Sequence, residues 1–216
     1  MIEVKTKGEN EKYNLEELYE ILRLLRSPEG CPWDRVQTHE TLIKPMIEEA
    51  YEAVDAIEKH SRDKLVEELG DVLLQVIMHS IIAEESGEYT FEDVTDGCAR
   101  KMLFRHSHVF GDAVANDAGQ ALNNWEEMKR KEKGFHDVWE DIADIPQCFP
   151  SLMRAAKRAR KLRKAGEADS KIREDILPKI DYSDPKQVSS LLYSVCAKAE
   201  EAGVDCETAL LKETLE

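Results

Sequence analysis

Apolar residues along this chain recur at three- and four-residue spacing, the period of a helix with one buried face. Leu15, Leu18, Ile21, Leu22 and Leu25 make the first stripe, with Asn14 placed as its N-cap and Arg26 near its end. Ser27-Pro28-Glu29-Gly30 then supplies turn chemistry. A second stripe runs through Met46, Ile47, Ala50, Val54 and Ile57, on a helix starting near Thr38 or at Pro45 and ending near His60. A third comprises Leu65, Leu69, Val72, Leu73, Val76 and Ile77, on a long helix from Asp63 to about Glu85 that Gly87-Glu88-Tyr89-Thr90 closes. Between these two, Lys59-His60-Ser61-Arg62-Asp63 is a polar break short enough to join antiparallel helices. Residues 91–104 predict another helix. No strand-length alternation of β-branched residues occurs, so the fold class expected is all-α, a helical bundle with a helical C-terminal appendage.

Further along, a polar loop from Gly111 to Gly119 precedes a charged helix containing Asn124 to Lys133. Residues 134–150 carry two prolines, mixed acids and the aromatics Phe135, Trp139 and Phe149, the composition of a boundary. Leu152 to Lys164 reads as a basic helix. In the tail, Val188, Leu191, Leu192 and Val195 form a stripe that Gly203 ends, and a short helix starts around Asp205. The expected organisation is a helical domain over 1–134, a linker over 135–150 and a helical tail over 151–216.

Chemistry concentrates in the helix pair around the polar break. Glu48-Glu49-Ala50-Tyr51-Glu52 lies in one helix and Glu67-Glu68-Leu69-Gly70-Asp71 in the next. Residues three apart share a helix face, so Glu49 projects with Glu52, and Glu68 with Asp71. Folding the hairpin sets four carboxylates across from one another. An all-oxygen cluster of that kind suits a hard divalent cation, Mg²⁺ or Mn²⁺. A single acidic pair would read as a solvated helix face; two pairs bordering apolar stripes in one hairpin favour the metal site. Cys31-Pro32-Trp33-Asp34-Arg35-Val36-Gln37-Thr38-His39 is a loop in which Trp33 is either a hydrophobic plug or part of a base-contacting wall. His39 there is either a solvent-facing helix start or part of that same wall. Lys101 and Arg105 lie four apart, either as an ordinary basic helix end or as a pair that grips phosphate oxygens. Trp125 and Lys129 share a face that either staples the helix or closes over a nucleotide. His106 and His108 read as structural.

Bulk properties narrow the classes. The net charge of −15 argues against a general nucleic-acid binder and against an anionic-membrane binder, while leaving room for a small anionic substrate that arrives with its metal. No run approaches a membrane span, and the acidic amino terminus has no signal-like apolar stretch. Cysteines 31, 98, 148, 196 and 206 are scattered and odd in number, as expected of reduced thiols in a cytoplasm.

The ordered set Cys31 to His39, Glu48 to Glu52, Glu68 to Asp71, Arg105 to Asp112 and Asn124 to Lys129 closely resembles the MazG family of nucleoside triphosphate pyrophosphohydrolases, densely over residues 15–133. The acidic motifs alone would also admit dimeric dUTPases or phosphoribosyl-ATP pyrophosphatases; the Cys-Pro-Trp-Asp and His-Val-Phe-Gly-Asp elements select MazG. The resemblance implies the all-α nucleotide pyrophosphatase fold, an intertwined homodimer, and Mg²⁺-dependent hydrolysis of a nucleoside triphosphate to monophosphate and pyrophosphate. It implies metal ligation by Glu49, Glu52, Glu68 and Asp71, with Glu48 supporting, and substrate contacts from Trp33, His39, Lys101, Arg105, Trp125 and Lys129. Ser107 departs from the family's usual proline. Residues 151–216 resemble a shortened second copy of the domain in which Gln187 and Ser190 replace the second acidic pair. The stacking residues carry few base-discriminating groups, which leans toward broad specificity in nucleotide-pool cleaning or alarmone control. The competing readings are a narrower dUTPase-like enzyme and a non-catalytic helical regulatory protein.

Overall fold

The computed structural model describes residues 6–8, 10–167, 180–204 and 206–215. Among them there are eleven helices and no strand. The first is α1 (Leu15–Arg26), capped as its sequence predicts: the Asn14 side chain accepts from Glu17 N–H, and Glu17 accepts from Asn14 N–H in return. A helical turn, α2 (Pro32–Arg35), occupies part of the stretch expected to be a loop. Proline at its first position supplies the helical φ without a hydrogen-bond donor being lost. Then follow α3 (Ile43–Glu58), with Pro45 inside its first turn, and α4 (Arg62–Ser86), which Gly87 ends in the left-handed conformation at φ +73°.

The α3–α4 turn is tight. His60 takes φ +52°, a region where glycine or asparagine is usual, while Ser61 N–H reaches back to the Ala56 carbonyl at 3.0 Å. That closure sets the register of the hairpin, and Ala53 and Ala56 are the small residues buried along α3. On α4 the buried residues Ile77, Met78 and Ile81 join Leu22 of α1 and Leu42 in one core, with Leu18, Tyr19, Leu74, Ile82 and Phe91 packed around it. Full burial of each such side chain contributes about 1.5–3 kcal/mol. Arg26, itself buried, ties this layer together. It makes two hydrogen bonds to Glu85, at 2.9 and 2.6 Å, and donates to the carbonyls of Asp34 at 2.6 Å and Gln37 at 3.1 Å. One guanidinium thus fixes the end of α1, α4 and the segment carrying Trp33.

The chain separates into two compact units, Met1–Phe104 and Arg105–Glu216, dividing at the end of α5 (Phe91–Arg105). The second unit contains α6 (Ser107–Phe110) and α7 (Ala118–Lys133), the latter starting just inside the end of the expected Gly111–Gly119 loop because Asp117 caps it. Residues 134–150 hold a helix, α8 (Val138–Ala143), capped by Asp137. Its Val138 is buried, as is Ile145 beyond it, and α8 packs on α9 (Ser151–Ala165). Buried Arg154 of α9 donates to the carbonyls of Ile145, Pro146 and Thr214, joining α9 to α11 (Cys206–Leu215). Helix α10 (Pro185–Glu201) precedes α11, and Gly203 between them has φ +71°. The stretch from Ile172 to Ile180, judged too short for a second acidic helix, lies outside the described residues except at position 180.

Candidate metal centre

Helix α3 presents Glu49 and α4 presents Glu68 and Asp71, three residues apart and on one face. Each offers a carboxylate oxygen, and the three oxygens lie within 4.8 Å of one another. Glu68 is 4% exposed, an unusual place for a carboxylate; its neighbour is Lys64, one turn earlier, with Nζ 3.3 Å from Oε1. That bond and the Glu68 charge raise the Lys64 pKa. Burial holds the Glu49 carboxyl above its usual range, reinforced in order by the charges of Asp71, Glu52, Glu68 and Glu48. Anions this close, with one lysine beside them, form a donor set for a hard divalent cation: oxygen only, negative, and partly withdrawn from water.

The other acidic residues behave differently. Glu52 is exposed and stands outside that group of three, though its charge acts on both Glu49 and Lys64. Glu48 is exposed and pairs along its own helix with Lys44 at 3.2 Å.

The aromatic segment also divides. Trp33 is displayed from α2 and 62% exposed; its carbonyl accepts from the Gln37 side chain at 2.8 Å. His39 is half-buried and stacks flat on His79 of α4, with ring centroids 5.0 Å apart and Nδ1 atoms 2.7 Å apart. A bond between two Nδ1 atoms requires one ring to donate and the other to accept. Burial, with His39 adding to it, lowers the His79 pKa, which favours that neutral arrangement. His79 was not legible as a partner in the sequence, since it sits 40 residues away from His39. Lys64 was more accessible: a lysine four residues before a glutamate on a predicted helix is a recognisable pair.

Lys101 is half-buried on α5. Arg105 is 7% exposed, donates through Nε to Glu132 at 2.6 Å, and lies over the Trp125 ring at 5.1 Å. Lys129 faces the same ring at 5.9 Å. The structure therefore gathers Arg105, Trp125 and Lys129 into one group within the second unit. Burial, then the positive charges of Lys161 and Lys133, lower the Lys129 pKa. His106 and His108 contact each other with ring centroids 5.7 Å apart. No helix among the described residues is long and apolar enough to cross a membrane.

Comparison with known proteins agrees with this arrangement. Residues 37–110, which contain α3, α4 and the acidic cluster, match the MazG nucleotide pyrophosphohydrolase domain. The nucleoside triphosphate pyrophosphohydrolase/pyrophosphatase MazG of Thermotoga maritima is 39% identical over 210 residues, covering 92% of this chain and 80% of that protein. The nucleoside triphosphate pyrophosphohydrolase of Escherichia coli K12 is 33% identical over 215 residues, 92% of this chain and 82% of its own length. The uncharacterized protein YabN of Bacillus subtilis is 46% identical over 137 residues, 63% of this chain but 28% of that longer protein. With two relatives matched over most of their length and the acidic helix pair inside the matched domain, the chain belongs to the MazG nucleotide pyrophosphohydrolase family.

Proposed function

We propose that this protein hydrolyses nucleoside triphosphates between the α- and β-phosphates, releasing nucleoside monophosphate and pyrophosphate, with Mg²⁺ as its metal and Mn²⁺ as a substitute. The observation that carries the reading is the convergence of Glu49, Glu68 and Asp71 within 4.8 Å. Those three hold the metal and Glu52, one turn along α3, adds a fourth carboxylate. The bound metal would neutralise charge that develops on the phosphate oxygens. Glu68, buried and fixed by Lys64, sets the position of the cluster, and Glu49, whose proton is retained more strongly than usual, is the group whose ionisation readies it. Glu48, adjacent on α3, is proposed to support or orient the metal ligands. Lys101 and Arg105 are proposed to meet the phosphates, and Trp33, His39, Trp125 and Lys129 the nucleotide. With indole and imidazole faces and few base-reading groups, these contacts favour broad specificity, in a cytoplasmic nucleotide-cleaning or alarmone-lowering role.

A homodimer belongs to the same proposal. Ile47, Val54 and Ile57 of α3 and Val66 and Leu69 of α4 are each about half or more exposed, large apolar side chains on two helices that pack together. A second copy would bury them. Residues 151–216 are proposed as a shortened, catalytically empty repeat serving packing or assembly, with residues 1–134 as the catalytic part. Glu52→Gln and Asp71→Asn test the assignment: turnover is lost in both while helical circular dichroism is unchanged. Wild-type rates in both variants would remove these residues from the site.

A further inference from the structure

A cavity of about 400 Å³ lies between α7, α8 and α9, entirely within the second unit and beyond the matched domain of residues 37–110. Its volume is at the small end of ligand pockets. Six basic side chains and three carboxylates line it, in a chain where acidic residues outnumber basic ones by 45 to 30. The carboxylates are already engaged. Asp141 is held by Lys161, Glu126 by both Arg160 and Lys164, and Glu127 by Lys131 at 2.7 Å. Three cations of the wall are left over. Among the described residues no carboxylate lies within 4 Å of Lys129, Arg130 or Lys157. Lys129 and Lys157 instead face aromatic rings, Trp125 at 5.9 Å and Phe149 at 5.5 Å, and the buried Arg130 Nε has no hydrogen-bond partner.

The surplus of three cations leaves the cavity wall net positive, and the buried Arg130 Nε is a donor without an acceptor that an anion in the cavity would satisfy. Burial, then the charges of Lys161 and Lys133, lower the Lys129 pKa against the opposing pull of Asp141. The anion must be compact and multiply charged to answer three cations in this volume, which a pyrophosphate group does and a single carboxylate does not. Long polyanions are disfavoured by the net charge of −15.

We propose that the α7–α8–α9 cavity is a binding site for a pyrophosphate group, free or carried by a nucleotide, in which Arg130 and Lys157 hold the oxygens without help from the acidic cluster, beside the Lys129 that the proposed function gives to the nucleotide. The choice of pyrophosphate over other compact anions rests on the proposed reaction; the demand for an anion does not. It gives residues 134–165 a role as a phosphate receptor beside any role in packing.

Isothermal titration of the full chain in EDTA tests it, using inorganic pyrophosphate and, separately, ATP. Saturable pyrophosphate binding is expected, weakened ten-fold or more in Arg130→Ala/Lys157→Ala, retained in Lys157→Arg and retained in Glu68→Gln/Asp71→Asn. ATP binding more tightly than pyrophosphate identifies the nucleotide as the source of the group; equal or weaker ATP binding identifies the free anion. Lys157 is exposed, so Lys157→Glu keeps the test available if the double variant does not fold, with the same ten-fold loss expected. No saturable binding in EDTA, binding indifferent to the cation variants, or binding lost with the acidic variant would overturn the proposal. Hydrolysis without this binding leaves the proposed reaction standing and removes the cavity; binding without hydrolysis does the reverse.

Discussion

Replacing Glu68 with glutamine should change the stability of the protein in opposite directions with and without metal. In the metal-free state Glu68 shares its site with Glu49 and Asp71, all within 4.8 Å. At that separation two unit charges repel by about 0.9 kcal/mol in the dielectric of water and by about 3.5 kcal/mol at an effective dielectric of 20. Glu49 and Asp71 are only half-buried, so the lower figure is the better guide. Glu68→Gln removes two such repulsions and the attraction to Lys64, whose exposed ammonium is well screened. A net relief of about 1 kcal/mol follows, or about 2–4 °C in Tm for a chain of this size. With metal the sign reverses. A cation at a hundred times its Kd stabilises the wild type by about 2.7 kcal/mol, and the variant forfeits most of that. Thermal melts of both proteins in EDTA and in millimolar Mg²⁺ check this. A variant that melts below wild type in EDTA, and still gains fully from Mg²⁺, would refute the electrostatic account of the cluster.

Three further outcomes follow from the same structure. The raised Glu49 pKa makes its ionisation unfavourable to the metal-free fold: the stability that the protonated carboxyl contributes is fully present below the unfolded pKa and is lost as pH rises through the folded one. Melts in EDTA should therefore place Glu49→Gln above wild type at neutral pH, with the gap closing as pH falls toward the ordinary glutamate range, and a pH-independent gap would contradict this. Arg26→Ala removes a buried guanidinium that holds Glu85 and two carbonyls, and a loss of roughly 2 kcal/mol in urea denaturation is expected, less than for a fully buried pair because Glu85 is half-exposed. For His79 the lowered pKa gives stability that is present above the unfolded pKa and lost as pH falls through the folded one, so His79→Gln should flatten the acid side of the Tm-versus-pH curve.

Much of this molecule was legible before folding because its helices carry local signals. Asn14 with Glu17 three residues on, and Gly87 after the long stripe, fix helix ends through contacts within one turn. The acidic pairs were legible for the same reason. What local spacing does not contain is the register between helices: the His60 turn decides that Glu49, Glu68 and Asp71 converge while Glu52 stays outside. Nor does periodicity say what covers a stripe. Ile47, Val54 and Ile57 read as core positions, yet within one chain Ala53 and Ala56 are buried and the larger residues face outward. The helical turns at Pro32–Arg35 and Ser107–Phe110 are too short to show a period, and α8 was hidden among prolines and acids. Arg26 and Arg154 carry no local signal of burial; their partners, carbonyls in other segments, are invisible to any local pattern.

The central claim is tested most directly by measuring pyrophosphate release from a panel of common and modified nucleoside triphosphates, with Mg²⁺ and in its absence. Mg²⁺-dependent release, with nucleoside monophosphate formed in equal amount and several bases accepted, is the predicted result. A folded protein that releases no pyrophosphate from any member of the panel with Mg²⁺ present would contradict it.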